Sequence, residues 1–268
     1  MLRSLKDLEQ YAVNATDGAI GTVVNFLVDD ERWVLRYLVV DTDSFLDRRR
    51  VLISPISFRQ VAWSTHSFHL ALTKDKVENS PSVDVEEPVS RLHERDYYHY
   101  YGYTNYWGSP GLWGPGNAPS ALATDTWTEA PAEHGDKTGD VHLRSAREVR
   151  GYHIQGHDAA IGHVEDFIID DETWEVRYLV IDTSNWWFGK KVLVVPHWAS
   201  SISWKEKRVT VDLSRQAIKD SPEWNATAAV DREYETRLYE YYRRPVYWDD
   251  RARPAGAPAE HKSGSPAR

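Results

Sequence analysis

The chain has no cysteine. Disulfides, thiolate metal sites and thiol nucleophiles are excluded, which is compatible with a reducing cytoplasm, the compartment expected here. Long apolar runs are also missing. The strongest, VVNFLV and YLVV, have the length of a strand, far below the roughly 20 residues of a membrane-spanning helix. The first residues, MLRSLKDLEQYAV, contain no apolar stretch able to serve as a signal-peptide core. A soluble chain without membrane insertion is therefore expected. Positive charge is in deficit, with 32 Lys and Arg against 41 Asp and Glu, a net charge of −9. Such a chain repels phosphate backbones, and Arg48, Arg49 and Arg50 form only a short cluster, so no nucleic-acid partner is expected. No GxSxG occurs, and GSPGLWGPG neither follows a strand nor ends in Lys-Ser/Thr, so neither nucleophile elbow nor phosphate loop is present.

What the chain does have is aromatic residues, with 12 Trp and 15 Tyr, and a repeat. At an offset of 141 positions Leu2 falls on Leu143, and the match runs without gaps to Trp107. LRS at 2–4 meets LRS at 143–145, and DGAIGTVVNFLVDDERWVLRYLVVDT meets DAAIGHVEDFIIDDETWEVRYLVIDT. RRVLISP meets KKVLVVP, and YHYYGYTNYW meets YEYYRRPVYW. Gap-free similarity over the whole unit points to duplication.

Each unit reads as β first and α last. Residues 20–28 and 33–41 form a hairpin around Asp29-Asp30-Glu31-Arg32. Val23 and Phe26 are both apolar at a spacing of three, which a bulge reconciles, and Gly21 and Gly162 mark a bulge or tight barrel bend. Further strands are expected at Val51 to Ile53, Ile56 to Trp63 and Phe68 to Leu72. Thr73 and Ser214 suit the N-caps of single helical turns with Val77 and Ile218 as apolar contacts. Ser90 and Asp231 precede terminal helices, whose Tyr98 and Tyr101, and Tyr239 and Tyr242, share one face. Residues 108–140 are rich in Gly, Pro, Ala and Thr and read as a linker, within which Trp113 and Trp127 suggest contact with a barrel. The domains are then 1–107, 141–248 and the intervening linker, with a disordered tail at 249–268.

The string DxxIGxVxDFxIDDExWxVRYLVxDT, with KKVLVVP and LSRQAIKDSP, resembles the PRC-barrel family. The second copy fits better; the first has Asn25 where the second has Asp166. The resemblance implies a mainly β fold of two tandem small PRC-type β-barrels, each followed by a short helical turn and a C-terminal helix. The family includes the cytoplasmic domain of the photosynthetic reaction-centre H subunit, the C-terminal domain of the ribosome maturation factor RimM, and free-standing proteins. It implies a non-enzymatic protein-binding or scaffold module without a cofactor. A ligand-binding protein or enzyme with a site between the barrels stands as an alternative, as does a peripheral component of a reaction-centre-type complex. Self-association or an intramolecular pseudo-dimer is expected on symmetry grounds.

Candidate chemistry has a bland counterpart in each case. The acidic turns at Asp29–Glu31 and Asp170–Glu172 supply too few oxygens for calcium and read as solvated hairpin turns. His153, His157 and His163 have Ala12, Thr16 and Thr22 as repeat mates, and His66 and His69 stand apart, so no metal site is expected. The loops DTDSFLDRRR and DTSNWWFGKK are more informative. Phe45, Arg48 and Arg49, and Trp186, Trp187, Phe188, Lys190 and Lys191, combine aromatic and basic residues as interface anchors do. The alternative is that these rings cover the chain's own barrel mouth or terminal helix.

Overall fold

A computed structural model describes residues 1–42, 49–81, 89–122, 142–183, 190–226 and 228–248. The fold is mainly β, with two seven-stranded sheets. The first unit contributes β1 (Leu2–Ser4), β2 (Ala12–Ala15), β3 (Gly18–Asp29), β4 (Val34–Thr42) and β5 (Arg50–Ile53). They are followed by β6 (Phe58–Ala62), β7 (Ser67–Leu70), α1 (Lys74–Glu78) and α2 (Arg91–Tyr101). The second unit repeats the pattern with β8 (Leu143–Ser145), α3 (Ala146–Val149), β9 (His153–Gln155), β10 (Ala160–Asp170) and β11 (Val176–Asp182). Then come β12 (Lys191–Val194), β13 (Ala199–Ser203), β14 (Arg208–Val211), α4 (Arg215–Asp220) and α5 (Arg232–Tyr242).

Strand order is β5-β4-β3-β2-β7-β6 in one sheet and β12-β11-β10-β9-β14-β13 in the other. All neighbours are antiparallel except β2 with β7 and β9 with β14. The long strand of each unit carries the bulge that the Val23–Phe26 spacing requires. Register shifts fall between Val23 and Asn25 and between Val164 and Asp166. Gly21 and Gly162 have a firmer reason than a bulge. A Cβ on either would stand 1.9 or 2.0 Å from the carbonyl oxygen of Asp41 or Asp182, so two strands cross too closely for any side chain.

Strand β4 is buried along nearly its whole length, because one face lines the barrel and the other meets α2. Tyr97, Tyr98 and Tyr101 cover that outer face. Tyr97 stands edge-on to Tyr37 at 5.0 Å, and its hydroxyl accepts the Ser54 N–H at 3.0 Å. Each fully buried aliphatic side chain of such a layer contributes about 1.5–3 kcal/mol. The Thr73 and Ser214 hydroxyls cap α1 and α4 by accepting the N–H groups of Lys76 and Ala217 at 3.3 and 3.0 Å, as the sequence reads.

The seventh strand of each sheet comes from the other unit. Strand β1 pairs with β10 and β8 with β3. The core is accordingly shared: a single cluster of buried residues runs from Leu5 and Phe26 through to Phe167 and Trp174. A smaller cluster lies between the outer face of the second sheet and α5.

Candidate docking residues and the seam between the units

Of the eight candidate docking residues, Phe45, Arg48, Trp186, Trp187 and Phe188 lie outside the described residues. The other three are engaged within their own units. Arg49 reaches the carbonyl oxygens of Val77 and Ser80 at 3.3 and 2.9 Å, at the end of α1. Its repeat mate Lys190 does the same at the end of α4, donating to the Lys219 carbonyl oxygen at 2.7 Å and to that of Ser221 at 2.5 Å. In both units a cation thus binds carbonyl oxygens at and just past the C-terminal end of the short helix, where the dipole favours positive charge. Lys191 pairs with Glu165 at 2.7 Å. Arg49, Lys190 and Lys191 are thus committed to partners within their own units.

The acidic turns are not solvated in the way the sequence suggests. Glu31 and Glu172 are exposed, but Asp29 is 1 % exposed. Its carboxylate accepts the N–H groups of Glu31 and Arg32 at 3.1 and 3.0 Å and pairs with buried Arg36 at 2.9 Å. Burial pushes the Asp29 carboxyl up, yet the adjacent guanidinium and the turn N–H groups outweigh it and hold the acid below its ordinary range. The next residue works across the units: Asp30 pairs with Arg144 at 3.0 Å, and its mate Asp171 pairs with Arg3 at 2.7 Å. The two acidic turns are thus anchor points for the exchanged strands.

The rest of the seam repeats this reciprocity. Leu2, Arg3 and Ser4 face Asp170, Ile169 and Ile168, while Leu143, Arg144 and Ser145 face Asp29, Val28 and Leu27. Arg3 lies over Trp63 at 3.7 Å and Arg144 over Trp204 at 4.4 Å. Ser4 donates to Asp166 at 2.5 Å, and Asn25 to Ser145 at 2.8 Å. Trp33 and Trp174 take left-handed backbone angles, φ 55° and 59°. Their carbonyl oxygens accept the N–H groups of Val176 and Leu35 at 2.6 and 2.8 Å. The ring of Trp174 enters the first barrel, 5.2 Å from Phe58 and 6.2 Å from Phe68.

One segment breaks the reciprocity. Residues 108–122, read from sequence as the start of a linker, fold over the seam. Trp113 is fully buried and its indole N–H donates to the Thr173 carbonyl oxygen at 2.7 Å. Arg32 and Arg36 grip the segment through the carbonyl oxygens of Gly111 and Leu112, both at 2.6 Å. Its tight turn depends on Gly114, at φ +66°. Trp127 lies outside the described residues.

Beneath this segment is a buried ionisable cluster that the sequence did not reveal. Glu94 on α2, wholly buried, accepts from the hydroxyls of Tyr37 and Tyr106 at 2.9 and 3.0 Å. It also pairs with Arg91 at 3.0 Å and with His142, from the second unit, at 2.9 Å. Burial pushes the imidazole down, but the hydrogen bond and charge of Glu94 prevail and raise it above its ordinary value. The only sequence trace of the cluster is a glutamate on an otherwise tyrosine-lined helix face.

A cavity of about 220 Å³ lies between the N-terminal segment of the first unit and Trp224, Ala226, Ala228 and Val230 of the second. Of its polar side chains, Arg3 and Ser4 are already committed to Asp171 and Asp166. The histidines are dispersed: His66 packs on Tyr11 at 4.9 Å, His69 meets Ser67 at 3.1 Å, and His163 lies 4.0 Å from Asp182. Among the described residues no group of three or more His, Asp or Glu is placed to hold a metal ion. No helix of the described residues is long and apolar enough to cross a membrane.

No curated protein matches the chain. Residues 142–218 match the family model of the PRC-barrel domain, a span running from His142 through the exchanged strand β8 to Ile218 in α4. The chain carries a PRC-barrel domain in its second unit.

Proposed function

We propose that the chain is a non-enzymatic protein-binding or scaffold module built of two PRC barrels, working in the cytoplasm. The first unit is read as the second barrel on its strand order, which repeats that of the matched unit. The observation that carries the reading is how the ionisable side chains are spent. Asp29, Arg36, Glu94 and His142 close on one another in the interior, where a catalytic group would need an open path to substrate. The alternative of a ligand site between the barrels has the 220 Å³ cavity in its favour, with its Arg3 and Ser4 already engaged.

The aromatic residues Phe45, Trp186, Trp187 and Phe188 are the candidates for the partner contact. Cross-linking in the native cell followed by mass spectrometry tests this. Partner cross-links are expected to cluster at residues 43–48 and 184–189, and to disappear on replacing Trp186 and Trp187 with Ser at unchanged thermal midpoint. Cross-links that persist in that variant, or a protein with no reproducible partner, would refute the reading.

A further inference from the structure

The seam has the symmetry of an interface between two copies of one unit. Contacts come in pairs related by the 141-residue offset, so that residue i of one unit meets residue j of the other and the mate of j meets the mate of i. That is the mark of a two-fold, isologous interface. Residues on the axis of such an interface meet their own mates, and two positions do so. Val34 bridges Glu175, and Glu9 pairs with Arg150 at 2.5 Å.

The second pair is informative because it is not self-complementary. In a dimer of two first units Glu9 would meet Glu9, and in a dimer of two second units Arg150 would meet Arg150. Both side chains are largely buried, 20 % and 15 % exposed, so solvent screens such repulsion poorly. The surroundings sharpen the difference. Asp166 stands 3.9 Å from Arg150 and would soften an Arg150–Arg150 contact. Its mate in the first unit is neutral Asn25, so two Glu9 carboxylates would lack a counter-charge at that position. Arg147 lies 3.9 Å from Glu9 in the observed pairing, and its mate is Lys6.

We infer that this seam is a copy-to-copy interface whose axis has become complementary, so that the first unit takes a second unit in preference to another first unit. The partner this surface fits is the complementary half of the same chain, its own or that of another molecule. Charge placed at an axis acts chiefly by penalising wrong pairings. Two chains that open and exchange halves therefore close as a dimer with two mixed seams.

The test uses the full chain with a protease site inserted within 123–141, cut after folding. Analytical ultracentrifugation then follows association of the halves in the parent, Glu9→Arg, Arg150→Glu and the double variant. The halves of the parent are expected to stay together. Each single substitution should weaken their association about 10-fold, and the double variant should recover a clear part of that loss but not all of it, because the swapped carboxylate then faces Asp166 and the swapped guanidinium faces Arg147. A single variant that does not fold, beside a double variant that does, is the same result in stronger form. The inference falls if the double variant loses as much as the two singles together or fails to fold. It also falls if the parent halves separate.

Discussion

Glu94 and Glu235 occupy the same place in the two units and live in different surroundings. Each accepts from two tyrosines, Tyr37 and Tyr106 in the first unit, Tyr178 and Tyr247 in the second. Each pairs with the arginine three residues earlier, at 3.0 and 3.1 Å. There the likeness stops. Arg91 is 15 % exposed and Arg232 56 %, and Glu94 alone also takes an imidazole, that of His142, whose mate is Met1. Strand exchange delivers His142 to α2 of the first unit, and residues 103–122 seal the cluster from above. The same local motif is thus a closed ion network in one unit and a half-solvated pair in the other. A repeat preserves local geometry, while the environment that sets the energy of a charge comes from what is laid over it.

The largest effect should come from Glu94→Gln. Removing one partner of a buried, multiply bonded ion network costs about 3–5 kcal/mol, whereas Glu235→Gln should cost about 1 kcal/mol, as for a pair with one exposed member. Chemical denaturation of both variants measures the two losses; equal losses would mean that the two glutamates live in equivalent surroundings.

A smaller effect separates the units by pH. In the folded chain His142 holds its proton to higher pH than in the unfolded chain, where an imidazole titrates at about 6.5. Its stabilising contribution is therefore fully present below that value and is lost as pH rises through the raised folded value. Asp29 works in the opposite direction: its contribution is present above the ordinary Asp value and is lost as pH falls through its lowered folded value. Thermal midpoints measured from pH 6 upward should decline in the parent and stay flatter in His142→Gln. An unchanged slope in that variant would mean that the imidazole is not the group responsible.

The smallest expected effect is one in which the units should agree. Arg49→Ala and Lys190→Ala each remove the cation that bonds the carbonyl end of α1 or α4, and each should cost about 1 kcal/mol. Urea midpoints for the two should fall by similar amounts. A loss in one unit only would show that the shared geometry hides different energetics.

Much of the barrel was legible because its causes are local. The hairpins, the bulge after Val23, the Thr73 and Ser214 caps and the tyrosine face of α2 each follow from a few neighbouring side chains. The repeat doubled the signal, since a feature seen at one position could be checked 141 residues away. Asp29-Asp30-Glu31 was misread for the complementary reason. Acidic turn formers look solvated when nothing in the neighbouring sequence reveals that Arg36 lies beneath and Arg144 arrives from the other unit. Residues 108–122 were legible in part: Gly and Pro composition describes a linker and a glycine-dependent turn equally well, while Trp113 pointed to contact with a barrel without saying where.

Local pattern alone sets the mainly β units, the hairpin around each acidic turn and the capping residues of α1 and α4. Which sheet receives which LRS strand, and hence that Glu9 meets Arg150 and His142 meets Glu94, follows from long-range packing. Strand pairing bonds backbone to backbone, and a three-residue segment that is the same in both copies carries no side-chain label for either sheet. The choice rests on contacts such as Trp174 inside the first barrel and Trp113 across the seam, formed by residues far apart in the chain that local pattern cannot relate.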